Sequence, residues 1–289
     1  MKDKEISLIN KEPVEKLVYK NHPYRFVVFV IYMLQKVLIG TFCVAFPPIT
    51  PACEKLYNVT KSIVVMSSTF FFLGNVIPAP FTFPIIKHFG LRKTICFATF
   101  SAFLGTVVRL FMNYSFHLTF ISQIFMGVCS VLVENILLEF CKTWFCPSTR
   151  GIYLGILCLM NILGGGLGST IPLLFVNNQE DDLSVLKAQM DRYNYWAFVV
   201  MSILFIVTLF LFRDKPPKGY GYINRRASIF SETEDRNFFI VGWEYLKVLF
   251  SKKNFISYYV VYIISCSTLV FFNSVINLVA IYFGYNSVS

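Results

Sequence analysis

Trp144-Phe145-Cys146-Pro147-Ser148-Thr149-Arg150-Gly151-Ile152-Tyr153-Leu154-Gly155 is a polar turn between two long apolar runs, 118–138 and 152–176. Each run is near the roughly 20 residues that a helix rising about 1.5 Å per residue needs to cross some 30 Å of hydrocarbon. Working outward from this turn, further runs of that kind occupy 26–46, 63–86, 94–112, 196–212 and 255–283. Seven apolar spans therefore fill most of the chain. The reading predicts an all-α polytopic membrane protein.

Composition supports the same class. Of 289 residues, 56% are hydrophobic and 18% aromatic, and only 15% are charged, well below the roughly 25% of soluble domains. Mean hydropathy is +0.61. The first span follows some 25 polar residues, is too long for a signal-peptide core and has no small-residue cleavage site after it, so it is read as a retained helix.

The net charge of +10 would suggest nucleic acid in a soluble protein, but its distribution says otherwise. When the connections are numbered alternately, one side of the bilayer receives 20 of the 26 Lys and Arg residues and the other only Lys55, Lys61, Lys187 and Arg192. The positive-inside rule then puts the N-terminus and the long central loop in the cytosol. No nucleic-acid partner is expected; the partners are a lipid bilayer and a small-molecule solute. Two sequons, at Asn58 and Asn113, fall on the expected exterior loops and are candidate glycosylation sites. Tyr193, Tyr195 and Trp196 are expected at the outer interface.

Chemistry-bearing clusters are sparse. Cys53 is the one clearly exterior cysteine of eight, Cys141 and Cys146 lack two further zinc ligands, and His22, His88 and His117 are scattered. No metal, cofactor or enzymatic role is assigned. Charges inside spans stand out instead. Lys36 lies ten residues into span 1, about 15 Å deep, where an isolated Lys costs roughly 2.5–3.5 kcal/mol. Glu134 in span 4 is its expected partner. Such a pair can act as a gate, a proton-coupling site, a contact for an anionic or zwitterionic solute, or a static structural ion pair. Gln123, Asn135, Asn161 and Asn273 are further polar groups along a possible path, some serving only as interhelical hydrogen bonds. Arg109 and Glu139, near span ends, are read as snorkelling to the interface.

The motifs carry a resemblance. The segment from Trp144 through Arg150 to Gly155 resembles the turn between spans 4 and 5 of the major facilitator superfamily. Gly90 and Arg92, in Lys87-His88-Phe89-Gly90-Leu91-Arg92-Lys93, resemble its turn between spans 2 and 3, with Lys87 in place of the acid of the usual charge latch. Gly155, Gly164 and Gly168 resemble its span 5 glycine pattern, with Pro172 expected to bend the outer third of that helix. Gly164 and Gly168 share one face, letting a neighbouring backbone approach closely.

Together with Tyr57-Asn58-Val59-Thr60 and Phe212-Arg213-Asp214-Lys215-Pro216-Pro217, these segments are similar to the feline leukaemia virus subgroup C receptor-related family. The resemblance implies a plasma-membrane or organellar facilitator, with the plasma membrane favoured, and family members are linked to choline, ethanolamine and heme movement. It also implies substrate-path positions. Where choline-transporting members have a Trp in span 1 and a Tyr in span 7, this chain has Cys43 and Phe272; the family's span 5 Gln becomes Ile162, while Asn161 beside it is kept. Losing the Trp face weakens a quaternary-ammonium site.

The expected organisation is a cytosolic tail (1–24), a six-helix bundle (25–213), a cytosolic central loop with an amphipathic segment at 238–250 (214–254), and the first helix of an incomplete second bundle (255–289). The missing half, or an oligomer, is an expected partner. The implied function is transport of a small organic solute by alternating access. The alternatives are a seven-helix receptor and a non-transporting membrane scaffold.

Overall fold

The computed structural model describes residues 22–216 and, past them, single positions between 243 and 268. The 1–21 part of the expected tail, most of the 238–250 segment, the seventh span as a continuous helix, and Phe272 and Asn273 lie outside the described residues.

Between residues 22 and 216 seven α-helices follow one another: α1 Arg25–Cys43, α2 Thr50–Tyr57, α3 Lys61–Val76, α4 Ala79–Leu110, α5 Leu118–Trp144, α6 Arg150–Phe175 and α7 Leu183–Leu211. A short 3-10 turn, Pro47–Ile49, joins α1 to α2. Within these, six stretches are long and apolar enough to cross a membrane.

α4 carries the last turn of the second span and the whole of the third. α4 is continuous except at Gly90, which sits at φ 79° and ψ 172°, a region open essentially only to glycine. Contacts on either side show that the chain reverses there. Tyr57, just before α3, donates to Asn113, just after α4, at 3.1 Å, whereas Gly90 lies against Asp214 beyond α7. The bundle therefore has an Asn58 end and an Asp214 end. The second and third spans are Lys61–Thr82 and Pro84–Leu110, so the expected polar loop at 87–93 is a helical reversal about Gly90.

α1 packs along α6, α3 along α5, and α4 along both α5 and α7. Small residues set the closest approaches, as expected where lipid removes the hydrophobic drive for helix pairing. A Cβ on Gly127 would stand 2.1 Å from the Phe71 carbonyl oxygen, and one on Gly74 would stand 2.3 Å from that of Ile124. The main apolar cluster includes Tyr32, Phe42, Phe140 and Trp144, and a second, at the Asn58 end, includes Phe46, Cys53, Phe116 and Tyr193.

Several expectations need correction. α7 starts at Leu183, well before the apolar run at 196, because its first turns are amphipathic and pack Leu186, Met190 and Tyr193 into the second cluster. Its start is capped by Asp182, which accepts from the Ser184 N–H at 2.8 Å and whose carboxyl is held below its usual range by that serine. Cys53, at the Asn58 end, is fully buried. Arg109 does not snorkel; it is 1% exposed. Tyr193 is fully buried while Tyr195 is exposed, so these two do not form one interfacial belt.

Candidate functional site

Lys36 and Glu134 meet. The Lys36 ammonium, fully buried, forms an ion pair with Glu134 Oε2 without the angles of a hydrogen bond. The Glu134 side chain is 39% exposed. Its other oxygen, Oε1, accepts from Asn161 Nδ2 at 3.2 Å. α1, α5 and α6 thus each supply one polar group to a single point. The lysine stands behind and the carboxylate faces outward.

Three features fix that geometry. Tyr32, one turn before Lys36, donates its hydroxyl to the Val133 carbonyl oxygen at 2.5 Å, which pins the backbone next to Glu134. Tyr32 also stacks on Phe140, with ring centroids 4.5 Å apart. Gly40, one turn after Lys36, brings α6 into place: a Cβ there would stand 2.3 Å from the Asn161 carbonyl oxygen. Gly164 and Gly168 continue the zipper, with Cβ positions 2.1 Å from the Val37 oxygen and 2.3 Å from the Thr41 oxygen. Any side chain at these glycines would force the helices apart and separate Asn161 from Glu134.

The other expected path residues divide. Gln123 is buried and donates to the Phe42 carbonyl oxygen at 3.2 Å, so it braces the end of α1. Cys43 is half-buried, and its carbonyl accepts from Ser68 Oγ at 3.4 Å. Ile162 is 72% exposed. Asn135 is exposed as well. Gly155 meets nothing within 4 Å, so it takes no part in the zipper. Pro172 is buried within α6, which runs on to Phe175.

At the Asp214 end, the loop motifs interlock. Trp144 is buried. Phe145 stacks on Tyr153 with centroids 3.8 Å apart, and Arg150 N–H donates to the Cys146 carbonyl at 2.9 Å. Arg150 Nη2 reaches the Lys142 carbonyl at 3.4 Å, while Glu139 pairs with Lys142 at 3.4 Å. Across the Gly90 reversal, Asp214 Oδ1 accepts from the Arg92 N–H at 2.9 Å and Arg92 Nη2 donates to the Leu209 carbonyl at 3.0 Å. Asp214, after the sixth span, is thus the acid that closes this turn. A carboxylate at a helix N-terminus is favoured by the unpaired N–H groups there.

Sequence reading missed Tyr32 and Gly40, and it quoted Asp214 within the 212–217 segment without its partners Gly90 and Arg92. A GxxxG-type spacing advertises Gly164 and Gly168, but Gly40 stands alone in α1.

At the Asn58 end the two sequons differ. Asn58 is exposed at the left-handed cap of α2. Asn113 is half-buried, with Oδ1 accepting from Tyr57 and Nδ2 donating to Asp191.

Among the described residues, six stretches of membrane-crossing length packed around a buried ion pair fit a multi-pass membrane protein. Residues 26–289 match the family model described as Major Facilitator Superfamily, and the chain belongs to that superfamily. It is 24% identical over 197 residues to the choline/ethanolamine transporter FLVCR1 of Felis catus, covering 66% of this chain and 35% of the relative. It is 25% identical over 262 residues to the uncharacterized MFS-type transporter C09D4.1 of Caenorhabditis elegans, covering 87% of this chain and 42% of the relative. The chain therefore spans about two-fifths or less of the length of these relatives.

Proposed function

We propose that this chain is the N-terminal bundle of a facilitator that moves a small organic amine, with Glu134 as the group that meets the solute. The observation that carries the reading is the carboxylate held between Lys36 and Asn161 and left 39% exposed. A buried charge inside a bilayer is expensive and generally marks a solute or ion path. Lys36 is shielded behind Glu134, so a solute approaching the open side meets carboxylate oxygens first.

Those oxygens accept hydrogen bonds. A primary ammonium offers N–H donors to them, and charge-assisted bonds of this kind are about twice as strong as neutral ones. A quaternary ammonium offers none and relies on ring faces. With Cys43 and Ile162 at positions where the family resemblance places a Trp and a Gln, the described half of the site favours an ethanolamine-like solute over a choline-like one. The relative named as a choline/ethanolamine transporter lends support to an amine of this size. Heme, broad and anionic, fits the carboxylate poorly.

The concentration of Lys and Arg at the Asp214 end supports a cytosolic location for that end. Alternating access would rock this bundle against a second one, with α1 and α6 moving together. The test is competition: in cells expressing the protein, unlabelled ethanolamine displaces labelled ethanolamine uptake more strongly than choline does. Stronger displacement by choline, or by heme alone, would refute the substrate assignment.

A further inference from the structure

Two kinds of bond hold the first span, and the change from one to the other marks a hinge. As far as Thr41, α1 is locked to α6 backbone against backbone through Gly40, Gly164 and Gly168. The zipper ends there. Val44 (φ −114°, ψ 22°) and Ile49 (φ −104°, ψ 21°) leave helical geometry, and Pro47, Pro48 and Pro51 each remove a backbone donor.

Beyond the break, Ile49, Ala52 and Cys53 pack in the second apolar cluster, and the polar ties from residues 47–57 to neighbouring elements run through side chains. Lys55 pairs with Asp181 at 2.7 Å and reaches the Glu180 carbonyl at 3.3 Å. Asn178 donates to the Pro48 carbonyl at 3.0 Å, and Tyr57 donates to Asn113 at 3.1 Å. Such contacts break and reform without disturbing a helix ladder.

Arg109 holds Phe46, at the base of this segment. Its guanidinium carbon lies 4.4 Å from the Phe46 ring, 4.7 Å from Tyr193 and 5.8 Å from Phe42. Its Nε donates to Asn194 Oδ1 at 2.7 Å. Among the described residues no carboxylate lies within ion-pair distance of it. A desolvated cation held by ring faces is strongly stabilised only while the rings stay in place; water can replace them.

We propose that residues 47–57 form a hinged lid at the Asn58 end, latched by Arg109 through Phe46 at the base of the lid. The lid carries its own reporter, because Cys53 is fully buried beneath these ties. Cys129, 2% exposed in the main cluster away from the lid, serves as the internal control.

The test uses the chain purified into nanodiscs, where both faces are accessible, with a charged methanethiosulfonate reagent. Peptide mass spectrometry reads the modification rate at Cys53 and Cys129 separately. Arg109→Gln and Phe46→Leu are expected to speed Cys53 modification by about tenfold or more, since each removes the strongest ring–cation contact. Lys55→Ala is expected to give a smaller increase, as an exposed ion pair should. Cys129 stays slow in all three. Unchanged Cys53 rates in every variant that retains slow Cys129 modification would overturn the proposal, and so would Cys53 and Cys129 accelerating together, which means that the bundle loosens as a whole. Lys55 is exposed, so this variant supplies a folded reading if either buried substitution fails to accumulate.

Discussion

Lys36 was legible in the sequence because a charge in the middle of an apolar run must find a partner, and Glu134 was the nearest acid at comparable depth. What the sequence could not show is the asymmetry of the pair, with one member fully buried and the other open. That asymmetry sets a stability prediction. Removing Glu134 alone strands a buried cation, whereas removing both charges leaves an apolar contact. Glu134→Leu should therefore lower thermal stability more than Lys36→Leu/Glu134→Leu, with the single change worth up to about 3 kcal/mol because Glu134 is partly exposed. Thermal unfolding in detergent measures the difference. Equal losses would mean that Lys36 finds another partner. Arg109 shows the opposite case: position near a span end suggested snorkelling, yet the aromatic residues that enclose it come from α1, the break that follows it and α7, far away in sequence.

Glycines decide the geometry between elements. Gly164→Ala places a methyl 2.1 Å from a backbone oxygen, so it should destabilise the bundle by about 1–3 kcal/mol and reduce uptake. Gly165→Ala and Gly166→Ala meet nothing within 4 Å and should be neutral or gain up to about 1 kcal/mol from helix propensity. The comparison of the three unfolding temperatures tests the zipper. At the Gly90 reversal, Gly90→Ala should cost about 1–3 kcal/mol for backbone strain, and Asp214→Ala should loosen the same turn without straining it. Proteolysis near residues 87–93 reads both effects.

The lid tie between Lys55 and Asp181 carries a pH dependence. The Lys55 hydrogen bond and charge hold the Asp181 carboxyl below its usual range. A depressed carboxylate stabilises the tie above its unfolded pKa and loses that effect as pH falls through the folded value. Cys53 modification should accordingly rise on acidification below the ordinary carboxylate range, after correction for the slower thiol chemistry measured in Lys55→Ala. α7 illustrates why element boundaries are harder to read than elements: hydropathy reports where lipid begins, while the helix extends into an amphipathic stretch that packs on protein.

At the scale of the whole molecule, the six spans were readable because bilayer thickness imposes one length on every crossing. The loop motifs placed the chain in its superfamily for a similar reason: turns between spans need small or special residues at fixed offsets. Interhelical partners such as Gly40 with Asn161, or Asp214 with Arg92, depend on register between segments far apart in sequence, and one-dimensional periodicity does not encode it. The α1–α6 pair, locked by its glycines, carries both Lys36 and Asn161, while Glu134 reaches them from α5. Labelled ethanolamine uptake by cells expressing the wild-type protein, Glu134→Gln and Asn161→Ala at matched surface levels is the most direct test of this account. It predicts saturable uptake in the wild type, abolished by Glu134→Gln and weakened several-fold by Asn161→Ala; uptake that both variants leave unchanged would contradict it.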